Sequence, residues 1–465
     1  MTALSGNPHA SVVWWSELER WVNPNNTLRF TRLPEGWKVA RMGDVVRQFS
    51  EREKVKADAQ YRMIGVKWYG EGTFHRETVK GDAISANHLY RVLPGALIYN
   101  RLFAWKGSFA VVPQTHAGFF VSGEFPQFQA DSSKLLPEYL YLYCVTGPFI
   151  RAVNAASIGS AAVSRNRFKE EEFLGFAVAV PPLAVQRAIV RRWREGQEAT
   201  LKARQAVAKI EMDILAGFLK ALAIEPPKMA HTPKAFAVWW KDFLRWSVSY
   251  NQAALNSIDL SRGKYTVLEL GSVLSLVQYG TSEKANTTDK GTRVLRINNI
   301  KKGTIVLSDL KHIPLAKKAL ANLILAAGDI LIIRTSGSRD LVGTCGVFHA
   351  EGEYVFASYL IRLRACADKA NPDFLAYFLN SPLGRQQINA VSRQIMQNNI
   401  NTQELRQLRV CLPPLDVQRR IVGMVSKRRA EIAAARQAAA KKSAEIAQEV
   451  EDMILGKLAV PGAKV

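Results

Sequence analysis

The chain has 465 residues, enough for two to four domains at roughly 100–200 residues each. Hydrophobic residues make up 48% and aromatics 9%, which excludes a disordered or collagen-like chain. Lysine and arginine number 63 against 40 acidic residues, a formal charge of +23, so a polyanion is the expected partner and nucleic acid the first candidate.

In chain order, a Trp-rich amphipathic segment comes first, at about residues 11–22. A mixed region follows. ALIYNRL and FAVVP are β-branched or aromatic and bounded by turn residues, so they read as short strands. PEYLYLYCVTG opens on proline and spaces its apolar residues helically, so it reads as a short helix. FLGFAVAVPPL reads as a strand ended by Pro181-Pro182. A long helix then runs from about Leu183 to Ile224, with Ile189, Trp193, Ala203, Val207, Ile210, Ile214, Leu219 and Leu222 along one stripe. Pro226-Pro227 ends it.

The same plan then starts again. A second Trp-rich segment lies at 236–250; DILIIRT and GVFHA read as strands, PDFLAYFLNS as a helix, and LRQLRVCLPPL as a strand. A second long helix spans about Leu415 to Leu458, with Val417, Ile421, Val425, Ile432, Ile446, Val450, Met453 and Leu458 as its stripe. Matching anchors keep their order at offsets between 225 and 240 residues: PGALIYNR with AGDILIIR, GEGTF with KKGTI, PPLAVQRAIV with PPLDVQRRIV. A period this long means a duplicated domain and a pseudo-two-fold molecule, not a solenoid. A 40-residue helix is roughly 60 Å long, and its apolar stripe demands a partner. The expected fold is α+β, with two similar mixed domains joined by two long antiparallel coiled-coil helices. The divisions fall at 1–182, 183–225, 226–412 and 413–465.

Little points to catalysis. No P-loop or G-x-G-x-x-G is present, and Pro181-Pro182 and Pro413-Pro414 are helix entries, followed by leucine rather than an aromatic. Seven histidines are dispersed without ligand spacing, and His349 reads as structural or surface. Four cysteines form no Cys-x-x-Cys pair, so no disulfide framework or thiolate zinc site is expected. No apolar run reaches a membrane span, and the first residues show no basic-then-apolar export pattern, so a cytoplasmic location is expected.

The remaining signal is basic and amide-rich. Both long helices are biased to arginine and lysine, which suits phosphates or an acidic partner as well as a solvated face. Residues able to read base edges gather near turns of the second copy. They are Tyr279, Thr281, Ser282 and Lys284; Arg296, Asn298 and Asn299; Arg334, Ser336, Ser338 and Arg339; and Gln397, Asn398 and Asn399. By analogy of position Asn100, Arg101, Trp105 and Lys106 serve the first copy, with Arg165, Asn166 and Arg167. Caps and turns account for any single one of these equally well.

The duplication, the helix starts at Pro181–Arg187 and Pro413–Arg419, the GDILIIRTSGS run from Gly328 and VLELGSVLSLVQYGTS from Val267 resemble the DNA-specificity subunits of Type I restriction–modification systems. The Trp-rich segments match that plan less clearly, and VRQFSERE departs from the VQYGTSEK loop. The resemblance implies a non-catalytic reader of double-stranded DNA, each recognition domain taking one half of a bipartite target. Its helices would scaffold two methyltransferase (modification) subunits, joined by restriction/translocase subunits. S-adenosylmethionine, ATP and Mg2+ would be used by those partners, and no cofactor or metal by this chain. Two other classes stay open. A fusion enzyme would methylate DNA alone; a shape binder would bind scrambled and cognate duplexes equally, and the divergent middles argue against it.

Overall fold

The computed structural model describes residues 33–157, 167–225, 237, 258–286, 290–301, 303–314, 321–391, 393–394 and 398–462. Apart from residue 237, both Trp-rich segments lie outside the described residues, as do Pro226-Pro227. The chain divides into two compact units: Met1–Ala203 with Gln437–Val465, and Arg204–Arg436. Each unit therefore holds one mixed domain and half of each long helix.

The two units share a frame. In the first, a four-stranded sheet has the order Val46–Phe49, Gln127–Ala130, Leu97–Tyr99, Phe109–Val111. In the second, the order is Leu274–Tyr279, Leu360–Ala365, Ile330–Ile333, Cys345–Val347. A two-stranded antiparallel ribbon also recurs: Lys38–Arg41 pairs with Ala177–Val180, and Val267–Glu269 with Arg409–Cys411. Ile330–Ile333 is buried at every position because the sheet is covered on both faces. The helix Pro372–Asn380 packs against this frame, and Asn371 caps it by accepting from Phe374 N–H at 3.1 Å. Pro137–Cys144 is its counterpart in the first unit.

Outside the frame the units diverge. The first carries a five-stranded sheet ordered Arg52–Lys54, His88–Arg91, Phe120–Val121, Gln60–Val66, Thr73–Lys80. Among the described residues the second has a three-stranded sheet of Lys311–Ile313, Thr292–Leu295 and Tyr354–Phe356. It also has a small sheet in which Asn398–Asn399 lies between Thr335–Ser336 and Arg393–Gln394.

The long helices run Leu183–Leu222 and Leu415–Ile454. They stop two and four residues short of the sequence expectation. Ala223 turns left-handed at φ 53°, and beyond the second helix Gly456 does so at φ 70°. Leu458 is consequently outside the stripe and exposed. Within each unit the helices are antiparallel. In the first, Arg192 Nη2 meets Glu449 Oε2 at 2.7 Å while Gly196 faces Ile446. In the second, Arg436 Nη2 meets Glu211 Oε1 at 2.8 Å while Gly217 faces Met424.

Each helix entry is locked by one glutamine of the repeated Val-Gln-Arg. Buried Gln186 donates to Pro181 O and Lys134 O, both at 2.8 Å, and accepts from Leu136 N–H at 2.8 Å. Buried Gln418 donates to Pro413 O at 2.8 Å and Lys369 O at 3.1 Å, and accepts from Asn371 N–H at 2.7 Å. Each amide thus satisfies backbone groups where the strand, the short helix and the long helix meet.

Candidate nucleic-acid interface

The site of the second unit starts from a buried anchor. Asp329 is fully buried, accepting from Arg364 Nε at 2.7 Å and Nη2 at 2.8 Å and from Ala326 N–H at 2.8 Å. It fixes the entry to the strand Ile330–Ile333, and the chain emerges from that strand at Arg334. The backbone of Arg334 is held on both sides: its N–H donates to Tyr359 O at 2.9 Å and its carbonyl accepts from Ile400 N–H at 3.0 Å.

The Arg334 guanidinium lies over the Tyr279 ring, 4.7 Å from its centroid. Its Nε is buried without a hydrogen-bond partner. Asn399, whose Oδ1 is likewise buried and unpartnered, sits across the ribbon opposite Thr335. Tyr279 is 38% exposed; its hydroxyl accepts from Thr402 N–H at 3.3 Å. Tyr359, at 55% exposure, flanks them. A cation on an aromatic face beside unsatisfied amide and guanidinium atoms suits a polar, electron-rich planar ligand.

The other expected residues divide. Ser336 accepts from Ser338 N–H at 3.1 Å, shaping the turn, while Arg339 Nη2 donates to Asn389 O at 3.1 Å. Thr281 holds its own loop by accepting from Glu283 N–H at 3.2 Å. Ser282, Lys284, Asn298 and Ser338 are exposed. Arg296 is bound by Asp309, 2.9 Å to the carbonyl and 3.4 Å to Oδ2. Asn299 corrects the expectation. It is 1% exposed, and its amide donates to Val306 O and Ser308 O and accepts from Arg296 N–H, all at 3.0 Å, so it cannot reach a base. Gln397 and the side chain of Asn398 lie outside the described residues, as do Arg165 and Asn166.

In the first unit the expected residues are mostly engaged internally. Asn100 accepts from Leu102 N–H at 3.0 Å, a local turn bond. Trp105 Nε1 donates to Leu102 O at 3.1 Å, and the Lys106 ammonium sits 3.8 Å from the Trp68 ring centroid and 5.0 Å from that of Trp105. Arg101 is ion-paired with Glu170, and Arg167 forks onto Glu124 with contacts of 2.9 and 3.3 Å. Sequence reasoning missed Tyr359 and Thr402, and Glu124 and Glu170 in the first unit. The repeat carried the signal: Glu170 and Thr402 are 232 residues apart, like Pro181 and Pro413.

Several basic residues of the long helices are also paired internally, including Arg194 with Glu138 at 2.6 Å and Lys202 with Glu198 at 2.7 Å. His349 Nε2 bonds Asp373 Oδ1 at 2.9 Å on the surface. Burial pushes the Cys345 thiol up to about 12, so it is not a thiolate nucleophile at neutral pH. Among the described residues, no cluster of His, Cys, Asp or Glu is placed to hold a metal, and no helix is long and apolar enough to cross a membrane.

Two mixed domains thus stand on one repeated frame, each followed by a long helix. Residues 263–442 match the family described as the Type I restriction modification DNA specificity domain. Over part of its length the chain is similar to Type I specificity subunits. It is 25% identical over 284 residues to the Type I restriction enzyme EcoKI specificity subunit of Escherichia coli, covering 59% of this chain and 55% of that protein. It is 27% identical over 276 residues to the StySPI specificity subunit of Salmonella potsdam, with the same coverages of 59% and 55%. The chain thus spans about half the length of these relatives. A solved chain from work on complex assembly and conformational transition of the type I R-M system superposes with a TM-score of 0.55 at 18% identity, covering 92% of this chain and 100% of that one. That likeness concerns the fold.

Proposed function

We propose that the chain is the DNA-reading subunit of a Type I restriction–modification complex and carries no catalytic step itself. Recognition domains at 1–182 and 226–412 each read one half of a bipartite target, and the helices at 183–225 and 413–465 scaffold the complex. The observation that carries this reading is Arg334 over Tyr279, with unsatisfied polar atoms beside it, inside the segment that matches the DNA specificity domain. Arginine on a rigid turn is the usual donor to guanine O6 and N7, and the net charge of +23 supplies sequence-independent affinity for phosphates.

Two methyltransferase subunits are the proposed partners, with restriction/translocase subunits beyond them; S-adenosylmethionine, ATP and Mg2+ belong to those partners. Each unit offers a groove where its domain meets the long helix that follows it. One of about 440 Å³ is lined by Tyr69, Trp105, Tyr141 and Trp193; one of about 250 Å³ by Phe348, Tyr377, Val425 and Arg429. Trp193 and Val425 are 232 residues apart, so the two grooves open at equivalent turns of the long helices, which suits two copies of one partner.

The test is selection from a duplex pool randomised over its central region, using the full chain. Two fixed half-sites separated by an unread gap should emerge, and Arg334→Ala should alter one half only. Enrichment of no sequence, or an unchanged motif from Arg334→Ala, overturns the reading.

A further inference from the structure

The arginine site has a counterpart in the first unit that is closed by charge. Arg101 leaves the strand Leu97–Tyr99 as Arg334 leaves Ile330–Ile333. Its N–H donates to Glu124 O at 3.0 Å and its carbonyl accepts from Phe168 N–H at 3.1 Å. These are the same two backbone contacts that Arg334 makes with Tyr359 and Ile400. Glu124 therefore stands where Tyr359 does, Arg167 where Asn399 does, and Glu170 where Thr402 does.

The side chains at these equivalent places differ in kind. In the first unit two guanidinium groups meet two carboxylates, Arg101 with Glu170 and Arg167 with Glu124. Arg101 and Glu170 are only 27% and 16% exposed. In the second unit tyrosine, asparagine and threonine replace the two glutamates and the second arginine. There Arg334 rests on an aromatic face that orients it without neutralising it. Arg101 meets Glu170 through one nitrogen, Nη2, and its Nε is unpartnered like that of Arg334; a guanidinium held by a half-buried carboxylate must lose that ion pair before it can donate freely to a base.

We propose that positions 402 and 170 determine specificity: threonine at 402 leaves Arg334 able to donate to a guanine edge, whereas Glu170 keeps Arg101 out of base recognition. The two half-sites are then read by different chemistry from one inherited frame. This rests on the DNA-reading function above and names the residues that tune it.

The experiment is duplex selection with the full chain and four variants. Thr402→Glu places a carboxylate beside Arg334 and should lower the preference for guanine at one position of one half-site by about tenfold or more. Thr402→Gln, of similar size but neutral, should keep the preference. Position 402 opens the helix Thr402–Arg406, where an acidic residue is favourable, so the fold tolerates the change. Glu170→Gln should add a guanine preference to the other half-site, and Glu170→Gln with Arg101→Ala should abolish it. The proposal is overturned if Thr402→Glu and Thr402→Gln select the same motif. It is also overturned if Glu170→Gln leaves the first half-site as it was, or changes it equally without Arg101. A wild-type chain that enriches no sequence overturns the DNA-reading function and this proposal with it. A wild-type motif unmoved by these variants overturns this proposal alone.

Discussion

Asp329 anchors the arginine site, so Asp329→Ala is the sharpest test of how that site is held. The carboxylate is fully buried, forks onto Arg364 and approaches Arg362 Nη1 at 3.5 Å. The Arg362 side chain is only 4% exposed. Removing one partner of a buried ion pair costs about 3–5 kcal/mol, because the other charge is left uncompensated. Arg362 keeps Ile324 O at 2.7 Å, Asn322 O at 2.8 Å and Gln278 as acceptors, and Arg364 is 40% exposed and can reach water. The lower end, about 3 kcal/mol, is therefore expected. For a unit of this size that lowers Tm by about 6–12 °C. Asp329→Asn keeps the shape and loses the charge, so about 1.5–2 kcal/mol is expected. Calorimetry on the full chain reads the transition of the second unit, with urea titration alongside. A loss below about 1 kcal/mol for Asp329→Ala would refute the argument that a buried charge cluster anchors the strand.

Other outcomes follow from the same geometry. Gln186→Leu or Gln418→Leu strands a buried N–H and two carbonyls and should cost about 2–4 kcal/mol in urea titration; a neutral result would mean that water replaces the amide. Gly196→Ala gains helix propensity, but its Cβ would sit 2.8 Å from Ile446 Cγ2. A net loss of about 1 kcal/mol is expected, and the double variant with Ile446→Ala should be less unstable than the two added together. His116 accepts or donates at Thr73 Oγ1, 2.9 Å away; burial, then nearby His75, lowers its pKa from the usual imidazole value. The folded state therefore binds this proton less readily than the unfolded one, so stability is retained above about pH 6.5 and falls as the pH drops below it. Thermal unfolding at pH 7.5 and 5.5 checks this, and His116→Gln should flatten part of the difference. An undiminished slope in that variant removes His116 from the account.

Local pattern was enough to read the frame. Pro-Pro followed by apolar residues at helical spacing marked both long helices, because a helix that long must keep a continuous stripe against a partner. Short β-branched runs between turn residues marked Leu97–Tyr99 and Ile330–Ile333, and the repeated order of such runs disclosed the duplication. The role of the glutamine in Val-Gln-Arg was not legible. Its acceptors, Lys134 O and Lys369 O, lie about fifty residues earlier in the chain, and only folding brings them to the helix entry. The residues expected to read bases were legible as residue types and not as availability. Asn298 and Asn299 are neighbours of one kind, yet one is exposed and the other has its amide engaged within the fold. Arg101 and Arg334 follow equivalent strands, yet one meets Glu170 and the other Tyr279. Sequence thus determined the frame, since backbone periodicity and turn chemistry are local. Tertiary structure decided which charges remain available, since a guanidinium's state depends on whichever carboxylate or ring the fold sets beside it.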